Sequence, residues 1–376
     1  MTDPDTLRML EEAARGHAPF DAARVRGWRG TAPGFDRGHW QAMAEQGWLS
    51  ILVPEEAGGL GLDLDAAAAV ATVLGRSAAP EPFVAAGIVA PKLLSSCPPS
   101  EGRDARLARV IGGEAIACLA WQDVAGSLEV GAAQVTAASE GDGFAIDGEC
   151  RFVPVPDADA FLVTANANGE LALFWIDAGT KGLTIDRETT ADGNSQGWMR
   201  FSGVNAAGTA CIANGAGVEA MINEAIDYGT IGNCAELLGN MERCLELTLE
   251  YLKTRTQFGQ MIGKFQVLQH RAVDLWMNKE VARHALTASL NTVMAPNVPA
   301  AGRARAASSA KARIGQTALA LANDAVQLHG AIGFTDEYDL ALYVNRAIAI
   351  APYLGNAAEH LKRYGELKQR RTEAAA

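Results

Sequence analysis

Hydrophobic spacing switches twice along this chain of 376 residues, and that double switch limits the folds open to it. Before about residue 112, apolar side chains recur at helical intervals: Leu7, Leu10 and Ala14, then Trp40, Met43, Ala44 and Trp48. Between about 113 and 212 the period shortens to two. Apolar and polar residues alternate in Phe144-Ala145-Ile146-Asp147 and Phe161-Leu162-Val163-Thr164, and a denser apolar run covers 171–176. Turn-forming groups separate them: Gly141-Asp142-Gly143, Asn168-Gly169 and Asp192-Gly193-Asn194. After Gly217 helical spacing returns, with Leu238, Met241, Leu245 and Leu249 on one face. The pattern predicts an α+β chain in three parts: an all-α domain over 1–112, a β-barrel over 113–212 and a four-helix bundle over 213–376. Individual helices are expected over 64–76, around 83–95, and over 264–294, 301–328 and 337–367, with a glycine-rich loop at Val53–Gly61.

Composition removes several functions. The formal net charge is −12, which argues against a nucleic-acid partner. Six cysteines lie far apart without a CxxC pair, and the six histidines are not spaced with them as metal ligands. No metal site is expected, and the cysteines read as small buried hydrophobes in a reducing compartment. The N-terminal Met1-Thr2-Asp3-Pro4-Asp5 is polar, and no apolar run reaches the ~18 residues of a membrane span. The expected location is cytoplasmic, away from any membrane.

Two segments carry chemistry. The first is Lys253-Thr254-Arg255-Thr256-Gln257-Phe258-Gly259-Gln260-Met261-Ile262-Gly263-Lys264-Phe265-Gln266. A guanidinium at a helix end can make two parallel bonds to phosphate oxygens, and Gly259 lets the chain turn beside the ligand. The second is Gln327-Leu328-His329-Gly330-Ala331-Ile332-Gly333-Phe334-Thr335, a glycine stop to a helix. In order and spacing the pair resembles the signatures of the acyl-CoA dehydrogenase family, flavoenzymes that oxidise acyl-CoA thioesters between Cα and Cβ. The resemblance extends over nearly the whole chain and implies that family's order of helical domain, β-barrel and four-helix bundle.

The resemblance implies FAD as cofactor and an acyl-CoA as substrate. It assigns Arg255, Gln257 and Phe258 to the FAD pyrophosphate across a subunit boundary, and Gln327, Gly330 and Ala331 to the adenosine half of a neighbour's FAD. Ala331 stands where a second glycine is usual, one methyl larger. Gln122, in Leu119-Ala120-Trp121-Gln122-Asp123, is assigned to the flavin pyrimidine edge, Ser127 of Gly126-Ser127 to the CoA portion, and Asn356 to the cofactor. Trp121 reads as barrel core. After Gly148 the chain runs Phe152-Val153-Pro154-Val155-Pro156. Pro154 falls where the family has a hydroxyl residue serving flavin N5, and proline has neither hydroxyl nor N–H.

Dehydrogenation needs a carboxylate to take the α-proton, a contribution of roughly 10²–10⁴-fold. In the Tyr353-Leu354-Gly355-Asn356 segment Leu354 stands where the family's glutamate belongs, and the alternative seat, counted back from Arg255, holds Gly229. The fallback acids are Asp227 and Glu236. The resemblance is to bacterial α₂β₂ heterotetramers in which one subunit lacks the glutamate and completes the FAD site of its partner. The expected function is therefore a subunit of an FAD-dependent acyl-CoA dehydrogenase, with a second family member as partner and an electron-transfer flavoprotein as acceptor. The alternatives are a homotetrameric dehydrogenase with an unusual acid base, or an acyl-CoA binder without redox chemistry.

Overall fold

The computed structural model describes residues 1–123, 127–130 and 134–375. The helices are α1 (Pro4–His17), α2 (Ala22–Gly27), α3 (Arg37–Glu45), α4 (Leu64–Arg76), α5 (Ala90–Ser96), α6 (Glu101–Ile111), α7 (Val218–Thr254), α8 (Gln266–Val293), α9 (Ala300–His329), α10 (Leu340–Ile350) and α11 (Ala357–Ala375). Between α6 and α7 lie β1 (Ala117–Ala120), β2 (Thr136–Glu140), β3 (Gly143–Val153), β4 (Ala160–Ala167), β5 (Glu170–Asp177), β6 (Leu183–Thr189), β7 (Ser195–Ala207) and β8 (Cys211–Asn214). A two-stranded hairpin, β9 (Thr256–Gln257) and β10 (Gln260–Met261), follows α7. Helices, a sheet and then helices is the expected class. The chain divides into two compact units: Met1, Trp28–Ala67 and Pro80–Gly229 in one, and Thr2–Gly27, Ala68–Ala79 and Thr230–Ala376 in the other.

The first unit is built on an eight-stranded sheet whose ladder runs β6-β7-β3-β2-β4-β5-β8. The first six residues of β4 are buried, as in a strand covered on both faces, which explains its apolar run. Two strands share one side of β4 end to end: β1 pairs parallel with Ala160–Val163 and β2 with Asn166–Ala167. Gln122 and Ser127 lie in sequence between these two strands. Gly148, at φ +121°, lets β3 pass close to the start of β2, because a Cβ there would lie 2.5 Å from the Gln134 carbonyl. Asn168-Gly169, both at positive φ, makes the tight turn joining β4 and β5. The helix expected around 83–95 is present, but its first part, Phe83–Val89, is a π-helix. Pro91 offers no N–H to the Gly87 carbonyl, and the Ala90 N–H reaches back five residues to Ala85.

In the second unit α9 packs against α8, α10 and α11 along a face rich in alanine. Against α7 the chain from Ala68 to Ala79 makes a backbone contact. A Cβ on Gly239 would sit 1.9 Å from the Thr72 carbonyl oxygen, and one on Gly75 would sit 2.0 Å from that of Glu236. The helix expected over 337–367 proves to be two, α10 and α11, divided by residues 351–356. Leu354 at φ +56° and Gly355 at φ +95° leave the helical region, and the Asn356 side chain then accepts from the Ala358 and Glu359 amides to start α11. Helical periodicity continues across the break, so spacing alone merges the two.

Buried polar groups brace this divide. His360 is wholly buried, with Nε2 2.8 Å from the Leu354 carbonyl and Nδ1 3.2 Å from Ser308 Oγ. Lys311, also wholly buried, donates to Asn233 Oδ1 and lies 3.4 Å from the Ile350 carbonyl. Burial pushes the imidazole down to about 3 and the ammonium down to about 8.

Two outcomes follow. The folded value of His360 lies below its ordinary 6.5, so the unfolded chain takes the extra proton between the two values. This contribution is complete above about pH 6.5 and is lost toward pH 3, at about 1.4 kcal/mol per pH unit. His360→Gln, which keeps a donor but cannot ionise, should flatten the plot of urea-denaturation stability against pH relative to wild type; parallel plots would refute the assignment. Gly239→Ala should cost about 3 kcal/mol by the same measurement, because α4 and α7 must separate; an unchanged midpoint would show that they do not touch.

Candidate functional site

The hairpin after α7 holds three of the expected residues. Phe258 at φ +51° and Gly259 at φ +78° form its two-residue turn between β9 and β10. This is the left-handed pair a type I′ turn requires. Glycine takes that conformation freely, whereas a left-handed phenylalanine costs roughly 1–2 kcal/mol. Phe258 is nevertheless 90% exposed, touching the edge of Phe265 at 6.1 Å between centroids. The hairpin is seated on the last turn of α7: the Ile262 amide donates to the Arg255 carbonyl at 2.8 Å, and a Cβ on Gly263 would strike the Leu252 carbonyl at 2.7 Å. Arg255 and Gln257 are exposed, and the Arg255 guanidinium has no ion pair or hydrogen bond among the described residues.

The end of α9 forms a second exposed element. Gln327, Gly330 and Ala331 all face outward. Gly330 caps the helix at φ 67°, ψ −144°, a conformation open essentially only to glycine, although space for a methyl is free there. The turn folds back so closely that a Cβ on Gly333 would lie 3.0 Å from the Val326 carbonyl. Phe334, just beyond, is 81% exposed. Helix α8 also carries exposed apolar residues. Val273, Trp276, Met277 and Val281 share a face of α8 at core-like spacing, yet each is exposed. The helix was legible in the sequence; the solvent exposure of these apolar side chains was not.

The ends of α7 and α9 meet through aromatic rings. Tyr251, one turn before Arg255, stacks on His329 with centroids 4.4 Å apart and planes at 27°. Tyr338 touches both, at 6.1 Å from Tyr251 and 5.2 Å from His329. His329 is 3% exposed, and its Nδ1 lies 2.7 Å from the Ala325 carbonyl, which makes Nδ1–H the donor. Burial pushes this imidazole down, so it is neutral.

In the first unit the expected flavin-facing residues are engaged with the protein itself. Gln122 is buried and its Nε2 donates to the Ser127 carbonyl at 2.9 Å, so the amide ties its own loop together. The Ser127 Oγ accepts from the Glu129 amide at 3.3 Å, and Gly126 lies outside the described residues. Trp121 is buried, as core. Pro154 directly follows β3, where the β3–β7 register shifts and Phe152 takes φ +56°. Between them the Arg151 guanidinium lies 4.6 Å from the Trp198 ring and 5.5 Å from that of Phe152, and pairs with Glu188 at 3.0 Å.

The acid positions can be placed one by one. Leu354 is 2% exposed and carries no acid. Gly229 is an ordinary α7 residue, and Asp227 nearby is buried. Glu236 is buried and held by Arg346, whose Nε and terminal nitrogen lie 3.0 and 2.6 Å from Oε1. Its partner lies 110 residues along the chain, beyond any local pattern. Asn356 serves as the helix cap described above. Burial pushes the Cys118, Cys234 and Cys244 thiols up to about 12, away from the thiolate form. Among the described residues no cluster could hold a metal ion, and no helix is long and apolar enough to cross a membrane. A cleft of about 590 Å³ lies among Phe20, Val73, Arg76, Glu242, Arg243 and Glu246. Arg76 there pairs with Glu242 at 2.9 Å and Glu246 at 2.8 Å, and Arg243 with Glu246 at 3.2 Å.

Comparison with known proteins bears on what these features serve. Residues 4–114 match the acyl-CoA dehydrogenase N-terminal domain and residues 215–366 the C-terminal domain. The acyl-CoA dehydrogenase IpdE2 of Mycobacterium tuberculosis is 29% identical over 366 residues, covering 96% of this chain and 97% of that protein. The acyl-CoA dehydrogenase FadE27 of the same organism is 28% identical over 336 residues, covering 88% of each. In the crystal structure of the ChsE4–ChsE5 complex from Mycobacterium tuberculosis, one chain matches with a TM-score of 0.83 and 26% identity, over 97% of each chain. With both terminal domains matched and relatives similar along nearly its full length, the chain belongs to the acyl-CoA dehydrogenase family.

Proposed function

We propose that this chain works as a subunit of an FAD-dependent acyl-CoA dehydrogenase complex, lends Arg255, Gln257, Phe258, Gln327 and the Gly330-Ala331 turn to FAD held by a partner subunit, and supplies no catalytic carboxylate of its own. The observation that carries it is the hairpin: a guanidinium with no ion pair or hydrogen bond among the described residues, close in sequence to a 90% exposed phenylalanine in a left-handed turn. Strain and exposed apolar surface persist where a ligand or partner repays them.

The family's FAD supplies the hydride acceptor when bound, and the residues present fit its two halves unequally. The exposed face of the second unit fits as the donor of cationic and amide contacts to a phosphate-bearing group from outside the chain. The first unit fits poorly as a holder of the flavin ring. Pro154 offers no N–H, the Gln122 amide is spent on Ser127, and Arg151 fills the space between Phe152 and Trp198. The lack of an acid at Leu354 and Gly229 agrees with a non-catalytic role, as does the commitment of Glu236 to Arg346. The ChsE4–ChsE5 structure, a complex of two different chains, supports a heteromer. The electron acceptor proposed by family resemblance is an electron-transfer flavoprotein, and the substrate an acyl-CoA thioester.

Flavin absorbance decides between the readings. The chain purified alone should be colourless, and co-expression with a family member that keeps its glutamate should give a yellow, active complex. Stoichiometric FAD bleached by acyl-CoA in the lone chain would overturn the proposal. In the complex, Arg255→Ala should weaken FAD retention about tenfold to a hundredfold, the range of a charge-assisted bond. Glu236→Gln should lower stability by about 3 kcal/mol by removing the buried carboxylate's charge from its pair with Arg346, while kcat stays within a few-fold of wild type. A loss of kcat of about a hundredfold without loss of stability would instead make Glu236 the base.

A further inference from the structure

We infer that Tyr251, His329 and Tyr338 form a pin that locks the Arg255 hairpin and the Gln327–Gly330 turn into one rigid clamp, making them positioning residues for the group those elements bind. The inference rests on the reading of these elements as a clamp on FAD. It adds residues that touch no ligand themselves.

The geometry places the pin at the base of both elements. Tyr251 is four residues before Arg255, and its carbonyl accepts the Arg255 amide at 2.9 Å, so ring and guanidinium leave successive turns of the same helix end. His329 is the last residue of α9, two after Gln327 and directly before the Gly330 cap. The 4.4 Å stack between these rings joins the two helix ends. Tyr338 closes the triangle and is itself held from behind. Arg26 pairs with Asp339 at 2.9 Å and donates to the Asp336 carbonyl at 2.8 and 3.1 Å, bracketing Tyr338 on both sides. The His329 ring cannot swing away without breaking its 2.7 Å bond to the Ala325 carbonyl.

Such a pin solves a specific problem. An exposed two-residue hairpin and a glycine-capped helix end are each mobile elements by their nature. Two contacts act together on one ligand only if their separation is fixed beforehand, because ordering them at binding would use up the affinity they provide. Aromatic stacking at the base fixes that separation without placing any side chain on the ligand.

The test is FAD release, followed by flavin fluorescence, from whichever flavin-containing assembly the chain forms, alone or co-expressed. Tyr251→Leu and His329→Asn should speed release roughly three- to tenfold, the range of an aromatic pair, whereas Tyr251→Phe, which keeps the ring, should behave as wild type. His329→Asn retains a donor near the Nδ1 position, so it tests the ring apart from the hydrogen bond. Because the pin acts through the clamp, Tyr251→Leu should add little once Arg255 is alanine. Additive effects of the two changes would reduce Tyr251 to general stability and overturn the pin. Fast release in Arg255→Ala with no change in Tyr251→Leu or His329→Asn would also overturn the pin while leaving the clamp intact. Release unchanged in all variants, Arg255→Ala included, or a co-expressed assembly without flavin, would overturn clamp and pin together.

Discussion

The backbone contact between the Ala68–Ala79 segment and α7 is the constraint from which the second unit takes its order. Glycine at 75 and 239 allows the helices to meet with carbonyl oxygens where side chains would otherwise stand. Once they are that close, short polar groups can span the gap. Tyr343 donates to the Arg76 carbonyl at 2.8 Å, Asn240 donates to the Tyr343 carbonyl at 3.1 Å, and Arg76 reaches Glu242 and Glu246 on α7. Arg346 then reaches Glu236, so α10 is fixed along its length. Its far end carries the Leu354 turn, which the buried His360 holds by its carbonyl. The turn at Leu354 is thereby built into a braced, apolar corner.

Much of the fold was legible from spacing, because helices and strands bury surface with different periods. The helix over 64–76 appears with the expected ends, and Asn168-Gly169 makes the tight turn its residues favour. The break between α10 and α11 was not legible, since its apolar residues keep helical spacing while the backbone turns at Leu354 and Gly355. The π-helix at Phe83–Val89 depends on a proline whose effect on the hydrogen-bond ladder leaves periodicity almost unchanged.

The candidate site divides the same way. Arg255, Phe258, Gln327 and Gly330 could be singled out because a cation and glycines at helix ends form a local pattern. The fate of Glu236 and Gln122 could not, since each is decided by a distant or looping partner, Arg346 in one case and the Ser127 carbonyl in the other. Sequence therefore found the residues that face outward more readily than those the fold had turned to its own use. The contrast bears on the proposed function: among the described residues Arg255 keeps its guanidinium unengaged, whereas Glu236 and Gln122 are committed to partners within the chain.

Phe258 and Phe334 stand almost fully in water, and α8 carries exposed apolar side chains as well. Surface of this kind is what chaperones and proteases recognise in unassembled proteins. A chain that carries it cannot accumulate safely in excess of whatever covers it. Its cellular lifetime, and hence its abundance, would be set by the supply of that covering surface. Quality control would then enforce the stoichiometry of the assembly with no dedicated regulator.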